Sequence, residues 1–266
     1  MSSADLDSAE TQPENVPGTR PAPLRVGRSL VIAIDGPSGS GKSSVSREVA
    51  RQLGLAYQDT GAMYRALTWF CLQEGIDLEN AGAVETAAES FGFLQSTDPQ
   101  ESWVRVGLVD VTAVIRDPSI SERVSAVATN LGARTELVRR QQAVIRQSRQ
   151  RIVVEGRDIT TVVAPQAEVR LLLTASEAAR LARRGAQLSG GSGNSEQQDL
   201  ARLTEQVLAR DARDGTVVEF QRAADGVLTL DSSELDFQQT VAAVIHLIEQ
   251  TLAGRGTGEE PGGQDD

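Results

Sequence analysis

Lysine, histidine and cysteine each occur once in these 266 residues, and each scarcity excludes a class of chemistry. A Ser-His-Asp or Cys-His centre would have to use His246, which falls in a C-terminal helical stretch without evident partners. We read it as an ordinary helix residue. Zinc sites built from His and Cys are excluded with it. A lone Cys71 rules out an internal disulfide and fits a reducing compartment. No run approaches the roughly 18 apolar residues of a membrane span, and the N-terminus lacks an apolar core. We therefore expect neither membrane insertion nor a signal peptide, and a cytoplasmic location. The formal charge of −11 argues against binding nucleic acid or anionic membrane. Residues 1–24 and 253–266 carry −3 each, leaving about −5 on the body, an ordinary surface.

The one lysine is the informative residue. Lys42 stands in Gly36-Pro37-Ser38-Gly39-Ser40-Gly41-Lys42-Ser43, which fits the phosphate-binding pattern G-x-x-x-x-G-K-[ST]. The other 25 basic residues are arginine, so an ammonium is kept only where a compact charge meets phosphates. Upstream, Leu30–Asp35 reads as a buried parallel strand; downstream, Val45, Val49 and Leu53 recur at helical spacing. That strand–loop–helix context predicts a nucleoside triphosphate site. Backbone N–H groups and the helix N-terminus would cradle the phosphates, Lys42 would reach the β/γ-phosphates, and Ser43 would hold Mg²⁺.

Strands are predicted at 30–35, 55–57, 152–154, 169–173 and 227–230, and helices at 42–53, 62–74, 119–130, 134–149, 176–187 and 196–210. A last helix follows Ser232 or Ser233 as N-cap, with Phe237, Val241, Val244, Ile245 and Ile248 inward. Val124, Val127, Leu131, Leu137, Val138 and Ile145 are the expected buried positions of the middle helices. Residues 1–28 and 253–266 read as disordered tails around one domain at 29–252. Within it, 76–118 reads as a small antiparallel insert, with a weak helix at 82–89 and β-like runs at 91–94, 103–106 and 109–111. The glycine-rich 189–195 marks a mobile lid spanning 177–214. The fold class is α/β: a five-stranded parallel sheet of the P-loop NTPase type, helices on both faces. Ligands bind such sheets at the carboxyl ends of the strands, which gathers the P-loop, Asp59-Thr60-Gly61, Glu155-Gly156-Arg157-Asp158 and the 210–214 cluster.

Guanine-reading switches need a second lysine in [NT]-K-x-D, and none exists. Ile152-Val153-Val154-Glu155 could imitate the Walker-B carboxylate of a motor, but Gly156-Arg157-Asp158 suits a turn facing a ligand. A small-molecule kinase needs arginines converging on an acceptor and a lid that excludes water. Arg65, Arg134, Arg157, Arg183, Arg184, Arg210 and Arg213 supply the first. Arg139, Arg140, Arg146 and Arg149 read as helix surface. Asp35 reads equally as support for the site or as a polar strand end.

The blocks Ile34–Lys42, Asp59-Thr60-Gly61-Ala62-Met63-Tyr64-Arg65, Gly156-Arg157-Asp158-Ile159 with Thr161-Val162-Val163, and Arg210-Asp211 with Asp214 resemble the bacterial cytidylate kinases over residues 29–252. That resemblance implies an ATP- and Mg²⁺-dependent kinase of CMP and dCMP, here expected to be a monomer. It implies that Gly36, Pro37, Ser38, Gly39, Ser40, Gly41, Lys42, Ser43 and Ser44 bind the donor, with Ser43 on the metal. It places Thr60, Arg65 and Arg157 on the acceptor phosphate, Ser125, Arg134 and Asp158 on the cytosine edge, and Asp214 on the ribose with Arg210 nearby. It makes Arg183 and Arg184 lid arginines that, with Lys42 and Arg157, act on the transferring phosphoryl group. Two departures stand out. The family places a further arginine soon after the aspartate matching Asp214, whereas Gly215–Phe220 contains none, and Glu155 replaces an aspartate also found there. The rival readings are a kinase of another monophosphate or of a small alcohol, and a regulatory nucleotide-binding module without an acceptor.

Overall fold

The structure is a computed structural model that describes residues 29–188 and 222–256. The predicted lid segment beyond 188, with Arg210 and Asp214, lies outside these residues, as do residues 1–28 and 257–266; residues 253–256, expected in the disordered tail, instead continue the last helix. At the centre is β1 (Leu30–Asp35), buried throughout because both faces of the sheet are covered. It pairs in parallel with β6 (Arg151–Gly156) and β7 (Val169–Thr174). With β2 (Ala56–Asp59) and β8 (Leu228–Asp231) the order is β2-β6-β1-β7-β8.

Alternation along β1 sorts the core. Ile32 and Ile34 pack with Val45 and Val49 of α1 (Lys42–Leu53) and with Val241, Val244 and Ile248 of α8 (Phe237–Gly256). Val31 and Ala33 pack on the other face with Ile145 of α6 (Leu131–Gln147) and with Ile159 and Val163. A third cluster joins α2 (Thr60–Gln73), α3 (Ala81–Ser90), α5 (Val124–Thr129) and α6 to the insert, whose strands β3 (Phe93–Gln95), β4 (Val104–Val106) and β5 (Val109–Asp110) are antiparallel. Arg140 does more than decorate its helix. It donates to the carbonyls of Phe91 and Glu89 and stacks on the Phe91 ring at 4.9 Å, fastening the insert to α6.

Several boundaries differ from expectation. The helix expected at 119–130 is two pieces, α4 (Pro118–Ser121) and α5, because the N–H of Arg123 turns to Ile120, three residues back, and ends α4. Helix α6 starts at Leu131 because Asn130 caps it by accepting from the N–H of Ala133. Its inner face is Ala133, Leu137, Gln141 and Ile145, so Leu131 points away and is exposed, not buried as expected. The last helix is capped by Asp236 rather than Ser232 or Ser233. Asp236 accepts from the N–H of Gln239, whose side chain accepts in return from the N–H of Asp236, a reciprocal capping box. Phe237, expected inward, overhangs a groove lined by Ser44, Arg47 and Pro99. A single π-turn at Ile159–Val163 follows β6 and was not foreseen. No described helix is long and apolar enough to cross a membrane.

Candidate active site

The P-loop leads from β1 into α1. Gly41 is the N-cap of α1 at φ +87°, a left-handed conformation that suits glycine, and no side chain caps the helix. An uncapped helix N-terminus of this kind presents its positive end to an anionic ligand. The outward carbonyls of the loop are held from behind by α7 (Glu177–Leu188). Arg180 donates to the Ser38 carbonyl at 3.1 Å and Arg183 to the Ser40 carbonyl at 3.1 Å. Arg183 also reaches the hydroxyl and carbonyl of Ser232 and the carbonyl of Leu235, linking the loop to the turn after β8. Its guanidinium therefore sits behind the P-loop in this conformation. Arg184 follows in the same helix, and its side chain lies outside the description.

Inside the loop, Glu155 takes a place that sequence reasoning left open. The Ser43 hydroxyl donates to it at 2.6 Å, Lys42 Nζ lies 4.0 Å away, and the Tyr57 hydroxyl donates to it at 3.3 Å. Burial raises the Glu155 pKa, as does the neighbouring Asp59 carboxylate, while Lys42 and Ser43 pull it back. Burial works against Asp59 too, but Arg65, the N–H of Ala62 and Lys42 outweigh it and hold Asp59 below its ordinary range. Of this pair, Glu155 is the carboxyl that takes a proton first.

The acceptor side is built on α2, α6 and the end of β6. Asp59 caps α2 through the N–H of Ala62 and binds Arg65 at 2.9 Å. Thr60 donates to the Glu155 carbonyl at 2.8 Å, and Arg134 pairs with Asp158 at 2.6 Å. Burial raises the Asp158 pKa against the pull of Arg134. Arg65 Nε is buried without a protein partner, leaving hydrogen-bonding capacity for a ligand.

Lys42, Ser43, Thr60, Arg65, Arg134, Glu155, Arg157 and Asp158 line one cavity of about 240 Å³. Ser125 does not line it. It is buried and faces a separate groove with Leu72 and Ile76, and the wall beside Arg134 is formed by Val124, Ala128 and Thr129. Asp59 was placed at the ligand edge and Tyr64 quoted in its motif, but neither was assigned a role, although an acid closing a strand with an arginine six residues on was a usable signal. No described group of three or more His, Cys, Asp or Glu residues is arranged for a metal.

A triphosphate loop and an arginine–carboxylate pair therefore face one cavity, and the sequence profile of the cytidylate kinases matches residues 32–250. The chain belongs to the cytidylate kinase family. A cytidylate kinase of Cutibacterium acnes is 47% identical over 84% of this chain and 97% of its own. Those of Streptomyces avermitilis and Rhodococcus jostii are 40% and 42% identical, each over 85% of this chain and over 96% and 98% of their own. The enzyme is accordingly a nucleoside monophosphate kinase, and the family implies ATP as the phosphoryl donor.

Proposed function

We propose that the enzyme transfers the γ-phosphoryl group of ATP to the phosphate of CMP or dCMP, giving the diphosphate. The observation that carries this reading is the Arg134–Asp158 pair in the cavity that also holds Lys42. Cytosine presents an amino donor beside ring acceptors, and a carboxylate next to a guanidinium complements that edge. Uracil would set a carbonyl against Asp158 and leave both groups unpaired.

Thr60, Arg65 and Arg157 hold the acceptor phosphate in this reading, with Lys42 and Arg157 on the transferring group. Arg183 acts from behind the loop. The resemblance keeps Arg184 as a lid arginine, Arg210 and Asp214 at the ribose, and Ser125 near the base. The oxygens of Ser43 and Glu155, 2.6 Å apart beside the phosphate loop, suit a hard divalent cation held mainly by nucleotide. Mg²⁺ there would neutralise charge on the donor phosphates. The acceptor phosphate is largely ionised at neutral pH, its second pKa being about 6, so the reaction needs no protein base and the scarcity of histidine is no handicap. Positioning and charge neutralisation carry the step. Turnover of CMP, dCMP, UMP and AMP tests the reading: CMP and dCMP should be fastest, and faster phosphorylation of AMP than of CMP would overturn it.

A further inference from the structure

Asp35 closes the central strand and directly precedes the P-loop, yet its carboxyl group reaches across the sheet to the acceptor side. It is 3% exposed. One oxygen accepts from the N–H of Ile159 at 2.8 Å, the other from the N–H of Thr160 at 2.9 Å and from the Thr160 hydroxyl at 2.6 Å. These donors open the π-turn, which begins immediately after Asp158. Single π-turns are rare and concentrate at functional sites, since their surroundings must hold them.

The segment between strand and turn has little slack on its other side. A Cβ added to Gly156 would lie 2.4 Å from Thr60 Oγ1 and 2.7 Å from a methyl of Ile159. Thr60 in turn holds the carbonyl of Glu155 at 2.8 Å. Asp158 is thus clamped from both directions, by Thr60 before it and Asp35 after it. A carboxylate offers acceptor oxygens to all three donors, whereas an amide in its place would turn an NH₂ toward one of them. Asp158 also lies close enough to raise the Asp35 pKa further, adding to the dominant effect of burial.

We propose that Asp35 is a positioning residue for base selection, holding the π-turn so that Asp158 meets both Arg134 and the acceptor's base edge. This rests on the reading of the Arg134–Asp158 pair given above. Discrimination between cytosine and uracil depends on where one carboxylate points, and a displacement well under an ångström is enough to degrade it. Asp35 touches no substrate; it acts through the turn.

The experiment compares kcat/KM for CMP and UMP, with KM for ATP, in Asp35→Asn, Thr160→Val and Asp158→Asn. An amide at 35 keeps the shape but sets an NH₂ against the donors of the turn. The CMP:UMP ratio should fall about tenfold in Asp35→Asn, with KM for ATP within about twofold. Thr160→Val removes only the hydroxyl bond, and the ratio should fall about threefold. Equal losses on both substrates, or an unchanged ratio, would reduce Asp35 to a structural role and overturn the proposal. Should Asp35→Asn fail to fold, Thr160→Val decides alone. A ratio that collapses in Asp158→Asn but in neither other variant sinks the role of Asp35 and spares the base reading. An unchanged ratio in Asp158→Asn sinks both.

Discussion

The donor loop is eight consecutive residues, Gly36–Ser43, whereas the acceptor side is assembled from α2, α6 and the turn after β6. The first is a backbone device, shaped by glycine torsions and braced from behind by Arg180 and Arg183. The second is a side-chain device, in which the Arg65–Asp59 and Arg134–Asp158 pairs set the direction of each guanidinium. A contiguous loop needs only its own torsions and two braces. An assembly from distant segments depends on the packing of α2 and α6 against the sheet, so its failures should appear as lost recognition rather than lost chemistry.

Removing the donor-side charge should do the greatest damage: Lys42→Ala should lower kcat about 10³-fold in a steady-state ATPase-coupled assay. On the acceptor side, Arg134→Ala strips a partner from a buried carboxylate, and kcat/KM for CMP should fall roughly 10–100-fold while KM for ATP stays nearly constant. Equal shifts in both substrates would erase the division between the halves. Glu155 sits between them, and its raised pKa makes a pH prediction. As pH falls its charge is lost before that of an ordinary glutamate, so Glu155 adds a loss of kcat/KM on the acid side to that from protonation of the acceptor phosphate near about pH 6, and Glu155→Gln should remove only the contribution of Glu155. For stability the sign is opposite: the neutral form is favoured in the fold, so its contribution is full below pH 4.5 and lost as pH rises through the raised value. The smallest effect belongs to Arg183→Ala, which should raise KM for ATP about fivefold and leave KM for CMP unchanged. A 100-fold drop in kcat instead would place this arginine on the phosphoryl group.

The same division governed what the sequence revealed. The P-loop was legible because its residues are neighbours and its glycines announce their torsions. The sheet was legible because Leu30–Ile34 is a continuous apolar run and Val169–Leu173 is apolar but for Arg170. The joint assignment of Arg134 and Asp158 to the base edge came through family resemblance, since nothing in local spacing joins residues 24 apart into one ion pair. Ser125 came by the same route, and in this conformation it lines the neighbouring groove rather than the cavity. Leu131, Phe237 and the capping box at Asp236 were misread because three-dimensional packing and a reciprocal side-chain bond overrode simple periodicity. The π-turn has no local signature; it exists because Asp35 reaches it from 124 residues away.

Lys42 gives the molecule a single side-chain amine, and only 15% of that side chain is open to solvent. Amine-directed reagents consequently have one internal address, and a triphosphate seated in the loop would cover it. Acylation followed by mass measurement would then count vacant donor sites directly, turning an oddity of composition into an occupancy gauge.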